Sequence, residues 1–285
     1  MTWILLVLLY GLLKGTREIA KKKAMEKNSV MEVLIIYTLL SFIFVIPQAP
    51  QAGGLEPKYY FFIAIKSFAI FLAWICSFRS LKKLPVSLYG ILDLSRVLFA
   101  TFFGVVILGE VMTGWRLAGL IVVSIGLLML KFKPKKTAAV QEQNGTSTIY
   151  VILALISCLL NAVSGFLDKV LMKDITSSQL QFWYMLFLIS YYLIYVLITR
   201  EKISKSVWKN IWVWLLAIMF VIGDKALFIA NGNPDSKITV MTLVKQSGCL
   251  VTILGGRFVF KEKNTTYRLI CAMVIIAGIV MGVIK

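Results

Sequence analysis

Polar residues are sparse along this chain, and they fall mostly in short groups between long apolar stretches. Ten such stretches succeed one another, at 3–22, 30–49, 58–80, 86–108, 114–132, 149–171, 179–199, 209–230, 237–258 and 267–284. Each is close to the roughly 20 residues a helix needs to cross the hydrocarbon of a bilayer. They are apolar on every face rather than alternating, so the pattern predicts helices and not barrel strands. The longest polar connection, "KFKPKKTAAVQEQNGTST", falls near the middle. The expected architecture is an all-α membrane protein with ten transmembrane helices. Residues 1–132 and 149–285 form two five-helix halves, and 133–148 is a linker. The apolar opening is not read as a cleaved signal, because no small-residue cleavage site follows it and apolar runs continue.

Internal similarity supports the division. "GEVMTGWRLAGLIVVSIGLLML" from Gly109 aligns without gaps on "KEKNTTYRLICAMVIIAGIVMG" from Lys261, at an offset of 152. Glu110 meets Glu262, Arg116 meets Arg268 and Gly126 meets Gly278; the same offset carries Ser95 onto Ser247 and Gly104 onto Gly256. At an offset of 147, Lys22 meets Lys169, Met25 meets Met172 and Tyr37 meets Tyr184. Because each half holds an odd number of spans, the second must run inverted relative to the first.

Charge changes the picture twice. The formal net charge of +18 would suggest nucleic acid in a soluble protein. Here, however, no basic patch with interleaved aromatics stands on a soluble domain, and no nucleic-acid partner is expected. The cations sit in the loops after spans 1, 3, 5, 7 and 9: Lys21, Lys22, Lys23 and Lys27; Arg79, Lys82 and Lys83; Lys131, Lys133, Lys135 and Lys136; Arg200, Lys202, Lys205 and Lys209; Arg257, Lys261, Lys263 and Arg268. The other loops hold Lys58, Arg116, Lys173 and Lys237. Cytoplasmic loops are the lysine-rich ones, so both termini are expected outside a bacterial cytoplasmic membrane. Composition agrees, with 59% hydrophobic and 15% charged residues against about 25% charged in soluble domains. There is no histidine, and Cys76, Cys158, Cys249 and Cys271 lie in apolar runs without metal spacing. No metal or cofactor is expected. The sequons at Asn144 and Asn264 carry meaning only on a luminal face.

Three motifs resemble the drug/metabolite transporter superfamily, in its ten-helix EamA-type branch. They are "LGEVMTGWRLAGLIVVSIG" with its looser copy "FKEKNTTYRLICAMVIIAG", the first-helix segment "KGTREIAKKKAM", and "FRSLKKLPVSLYGIL". The resemblance covers essentially the whole chain. It implies two inverted five-helix bundles, alternating access, and a central cavity lined mainly by helices 1, 3, 4, 6, 8 and 9. Helices 5 and 10 are then peripheral or mediate dimer contacts, so a monomer or a homodimer is implied. This sequence departs from the family pattern at Lys14, where the usual residue is Trp, and at Arg17 and Glu18, where relatives keep small or apolar residues. Members move amino acids, sugars, nucleotide sugars, phosphorylated sugars and drugs, so substrate identity does not carry over.

Charges inside apolar spans are costly, at roughly 2.5–3.5 kcal/mol each near a helix centre, and such residues are candidates for a substrate site. They are Lys14, Arg17 and Glu18 in span 1, Lys66 in span 3, Asp93 and Arg96 in span 4, Asp224 and Lys225 in span 8, and Lys245 in span 9. Asp168 and Lys169 lie near the end of span 6. Asp93 and Arg96 share a helix face, and Asp93 and Lys245 are repeat equivalents expected to lie near one another. Of the adjacent Asp224 and Lys225, one is expected to pair locally while the other sees the cavity. End-of-span cations such as Lys21, Lys22, Lys23 and Lys169 read as snorkelling or orienting residues. Trp74, Trp183 and Tyr184 read more readily as interfacial aromatics than as cavity walls.

The excess of interior cations favours a secondary active transporter of a small zwitterionic or anionic metabolite, such as an amino acid or organic acid, with membrane lipid as its surroundings. The alternative is a proton-coupled exporter of lipophilic cations or drugs, with Glu18 or Asp93 exchanging the coupling proton. An enzyme is disfavoured: the sequence shows no metal spacing, phosphate-binding glycine loop or sizeable extramembrane domain.

Overall fold

The computed structural model describes residues 2–129, 146–201, 203–262 and 265–283. The expected linker, Lys131 just before it, and both sequon asparagines lie outside the described residues, except that helix is already present from Thr146. Twelve α-helices are described: α1 (Thr2–Ala24), α2 (Val30–Val45), α3 (Pro57–Lys83), α4 (Val86–Leu92), α5 (Arg96–Phe102), α6 (Gly114–Met129), α7 (Thr146–Leu171), α8 (Ser177–Thr199), α9 (Ile211–Asn231), α10 (Ile238–Lys245), α11 (Gly248–Phe258) and α12 (Thr265–Val283). No strand occurs among the described residues. Local chemistry sets several starts. Ser29 with Glu32 opens α2 and Thr176 with Gln179 opens α8 as capping boxes, while Pro57 stands in the first turn of α3.

Six helical segments are long and apolar enough to cross a membrane: Val30–Gln51, Pro57–Lys83, Val86–Ile107, Thr148–Leu171, Ser177–Thr199 and Ile211–Asn231. Shorter apolar stretches run over Gly114–Gly126, Gly248–Phe258 and Thr266–Gly278. The 23-residue α1 is long enough but carries Lys14, Arg17 and Glu18. Large apolar side chains stand exposed around the outside, among them Phe61, Val106, Leu197, Ile198 and Phe258. Soluble monomers rarely expose contiguous apolar surface on this scale; the chain is an integral, multi-pass membrane protein.

Two runs read as continuous helices are interrupted. Between α4 and α5 the chain tightens into a 3-10 turn at Asp93–Ser95, and a π turn follows at Phe103–Ile107. The second run breaks between Lys245 and Gly248. Neither break contains a proline, so composition does not announce it. Asp93 opens the first break and Lys245 the second, 152 residues apart.

The halves interlock. α1 packs on α9, α3 on α7 and α8, α4 on α11, and α6 on α12. Where α1 meets the start of α11, Gly15 and Gly248 touch backbone to backbone, and a Cβ on either would collide with the other helix. Across α6 and α12, a Cβ at Gly278 would stand 2.7 Å from the Gly119 carbonyl oxygen.

Hydrogen bonds gather the connections at two ends. At one end Lys82 Nζ donates to Asn28 O (3.0 Å), Asn28 Nδ2 to Ser206 Oγ (3.1 Å), and Ser204 N to Glu32 (2.9 Å). This end holds Lys22, Lys23, Lys27, Lys205 and Lys209. At the other end Gln48 bonds Gln181 (3.0 Å) and Trp183 Nε1 donates to Ala52 O (2.8 Å).

Candidate functional site

Between the halves lies a cavity of about 80 Å³, walled by α1, α3, α5, α7, α9 and α10 and floored by aromatic rings from α2 and α8. By the volume one water needs, it holds roughly five to eight waters. α1 contributes Lys14, Arg17, Glu18 and Lys21 on one face, because positions three and four apart stack along a helix. Lys14 and Arg17 find partners on other helices, and Glu18 and Lys21 pair with each other. Lys14 Nζ donates to Asp93 Oδ2 and lies 3.4 Å from Gln246 Oε1. Arg17 Nη1 stands 3.6 Å from Asp224 Oδ1 and lies between the rings of Tyr10 (5.3 Å) and Phe220 (5.1 Å). Glu18 accepts from Lys21 Nζ at 2.7 Å.

Opposite, Arg96 Nη2 donates to Asp93 Oδ1 at 2.8 Å. Lys66, only 2% exposed, pairs with Asp168 at 3.1 Å, and its ammonium sits 3.5 Å from the Tyr184 ring centre. Lys245 is different. It is 7% exposed and lines the cavity, yet among the described residues it makes no hydrogen bond or ion pair; its ammonium lies 5.8 Å from the Tyr10 ring centre, and Asp168 and Asp224 act on it only at longer range. Arg17 Nε, Arg96 Nε, Glu18 Oε2 and Gln246 Nε2 are also buried without a hydrogen-bond partner. Buried polar atoms ordinarily have partners, and those of Arg17, Glu18 and Arg96 belong to residues that line the cavity.

Of the sequence candidates, Lys14, Arg17, Glu18, Lys66, Arg96, Asp224 and Lys245 line this one cavity. Asp93 stands behind Lys14 and Arg96 and holds both. It forms no ion pair with Lys245; Lys14 occupies the carboxylate and also reaches Gln246, the residue after Lys245. Lys225 points away from the cavity. Its ammonium donates to Gln48 Oε1 and Ser178 Oγ, both at 2.8 Å, because it lies one residue round the helix from cavity-lining Asp224.

Four residues of the site read otherwise in the sequence. Lys21 does not snorkel but is buried on Glu18. Asp168 is a full member through Lys66. Trp74 and Tyr184 are buried walls, while Trp183 bonds Ala52 at the periphery. Lys169 is likewise buried, donating to the carbonyls of Asn231 (3.1 Å) and Asn233 (3.2 Å) at the end of α9. The offset of 147 held the missing signal. It maps Lys14, Arg17, Glu18 and Lys21 onto Asn161, Ser164, Gly165 and Asp168, and all eight line the cavity. α7 therefore keeps small and neutral residues at three of the positions where α1 carries charge.

An all-helical, multi-pass membrane protein with a charged cavity between its halves is the class these features define. Residues 1–132 match the model of the EamA-like transporter family, so the resemblance to the drug/metabolite transporter superfamily stands, and the family is one of transporters. No curated protein matches the chain. A crystal structure described only as that of a protein shares the fold: it is 14% identical, with 98% of this chain and 95% of that one covered, at a TM-score of 0.73.

Proposed function

We propose that the protein is a secondary active transporter of a small zwitterionic or anionic metabolite, working by alternating access between two inverted halves, 1–132 and 149–285. The observation that carries this reading is the charged cavity of about 80 Å³, with Lys245 buried in it and bound to no carboxylate among the described residues. Lys14, Arg17, Glu18, Lys66, Asp93, Arg96, Asp224 and Lys245 form the proposed site; Lys225 is left out. A volume of a few waters suits a ligand of about that many non-hydrogen atoms, not a nucleotide sugar. The cationic excess disfavours the lipophilic-cation exporter.

Contacts repeated at the offset of 152 support the ten-span, inverted-repeat reading. Glu262 accepts from Val86 N (2.6 Å) at the start of α4, and Glu110 accepts from Ile238 N (2.7 Å) at the start of α10. Glu110 N and Glu262 N each donate, at 2.9 Å, to Gly104 O and Gly256 O. Gly109 and Lys261 both take positive φ. Each half thus caps the broken helix of the other through the same glutamate.

The test is ligand-dependent thermal stabilisation of the detergent-purified protein across amino acids, organic acids, sugar phosphates and quaternary amines. Stabilising solutes then enter flux assays in liposomes at varied pH, which also reads any coupling proton. Flux should vanish in Lys245→Ala and Arg96→Ala; wild-type flux in both would overturn the site.

A further inference from the structure

Resting on that reading, we infer that the transported solute is a small dianion, a dicarboxylate or a phosphomonoester, rather than a zwitterion. The argument is a count of charge in an enclosed space. Six cations line the cavity, and four carboxylates answer them, counting Asp93 behind the wall. Each carboxylate is already engaged: Asp224 by Arg17, Glu18 by Lys21, Asp168 by Lys66, and Asp93 by both Lys14 and Arg96. Two positive charges are left over. One is shared between Lys14 and Arg96, which divide a single carboxylate. The other is Lys245, which has none.

Uncompensated charge away from water is expensive. A zwitterion adds no net charge and leaves both cations uncompensated. A monoanion answers one, and a dianion answers both. The two excess charges also lie on different elements, Lys14 and Arg96 on α1 and α5 and Lys245 on α10, so two anionic oxygens spread across one small molecule could meet both. Arg96 Nε and Arg17 Nε, on cavity-lining residues and without hydrogen-bond partners among the described residues, add donors, and donors suit an anion.

Counterflow in proteoliposomes tests this without assuming a coupling ion. Vesicles loaded with unlabelled succinate or sn-glycerol 3-phosphate should accumulate the same labelled solute, and the two arms distinguish carboxylate from phosphate. L-Alanine and lactate at tenfold excess should compete weakly. Lys245→Gln should weaken competition by dianions at least tenfold while changing that by lactate less than threefold. Lys245→Arg should restore the wild-type order, and a wild-type unfolding temperature shows that each variant is folded. Counterflow driven by alanine or lactate but not by either dianion would overturn the dianion and leave the transporter standing. Counterflow by no solute of any class would overturn both.

Discussion

Two buried lysines in this cavity obey opposite energetics. Lys66 is locked against Asp168 under the Tyr184 ring, so removing one partner leaves the other charged and buried. Lys66→Met should therefore cost about 3–5 kcal/mol of stability. Asp168→Leu on the same background should return much of that, and thermal unfolding of the single and double variants reads the coupling directly. Lys245 has no carboxylate to orphan. Lys245→Gln removes an uncompensated buried cation, so its unfolding temperature should equal or exceed wild type while solute-dependent stabilisation falls. If Lys245→Gln instead unfolds as readily as Lys66→Met, Lys245 is part of the scaffold and the proposed site is wrong. This contrast is invisible in the sequence, where both are lone lysines in apolar runs. The distinction depends on which residues of other helices fold against each.

At the scale of elements, the arginines that follow the paired glutamates have unequal surroundings. Glu262 accepts from Val86 N and both groups of Ser87, and it receives the buried Arg268 at 3.0 Å. In the first half the equivalent Arg116 is only partly buried and donates to Val111 O at 2.7 Å. Glu262→Ala strands a buried guanidinium as well as helix-start N–H groups, so it should cost about 3–5 kcal/mol. Glu110→Ala leaves Arg116 bonded to Val111 O while it strands helix-start N–H groups, so it should cost less. Denaturation of the two variants side by side checks the order, and equal losses would refute the argument. The sequence marked both glutamates through the repeat, and it located a helix or helix pair under each of its ten apolar runs. It did not show the breaks beside Asp93 and Lys245. Hydropathy reports how apolar a segment is, and a 3-10 turn without proline or a change of polarity leaves that signal unaltered.

For the molecule as a whole, the distribution of cations and the fold can be checked against each other. Among the described residues, the lysine-rich loops after spans 1, 3 and 7 meet at one end, joined by bonds such as Lys82 to Asn28 and Ser204 to Glu32. The lysine-poor connections meet at the other, where Gln179 reaches Gly53 O at 2.8 Å. Nothing in periodicity requires this; it follows only if successive helices cross the same slab. Basic loops are retained on the cytoplasmic side, so we propose that Lys205 lies inside and Gly53 outside. Both positions are exposed, whereas Cys158, Cys249 and Cys271 are buried and Cys76 is half-buried. Lys205→Cys should react with a membrane-impermeant maleimide only after the cells are permeabilised, and Gly53→Cys should react in intact cells, with the wild-type protein as the blank. The reverse pattern would invert the orientation while leaving the fold and cavity as described. Labelling of both positions in intact cells would mean that the chain inserts in two orientations and that the lysine asymmetry does not orient it.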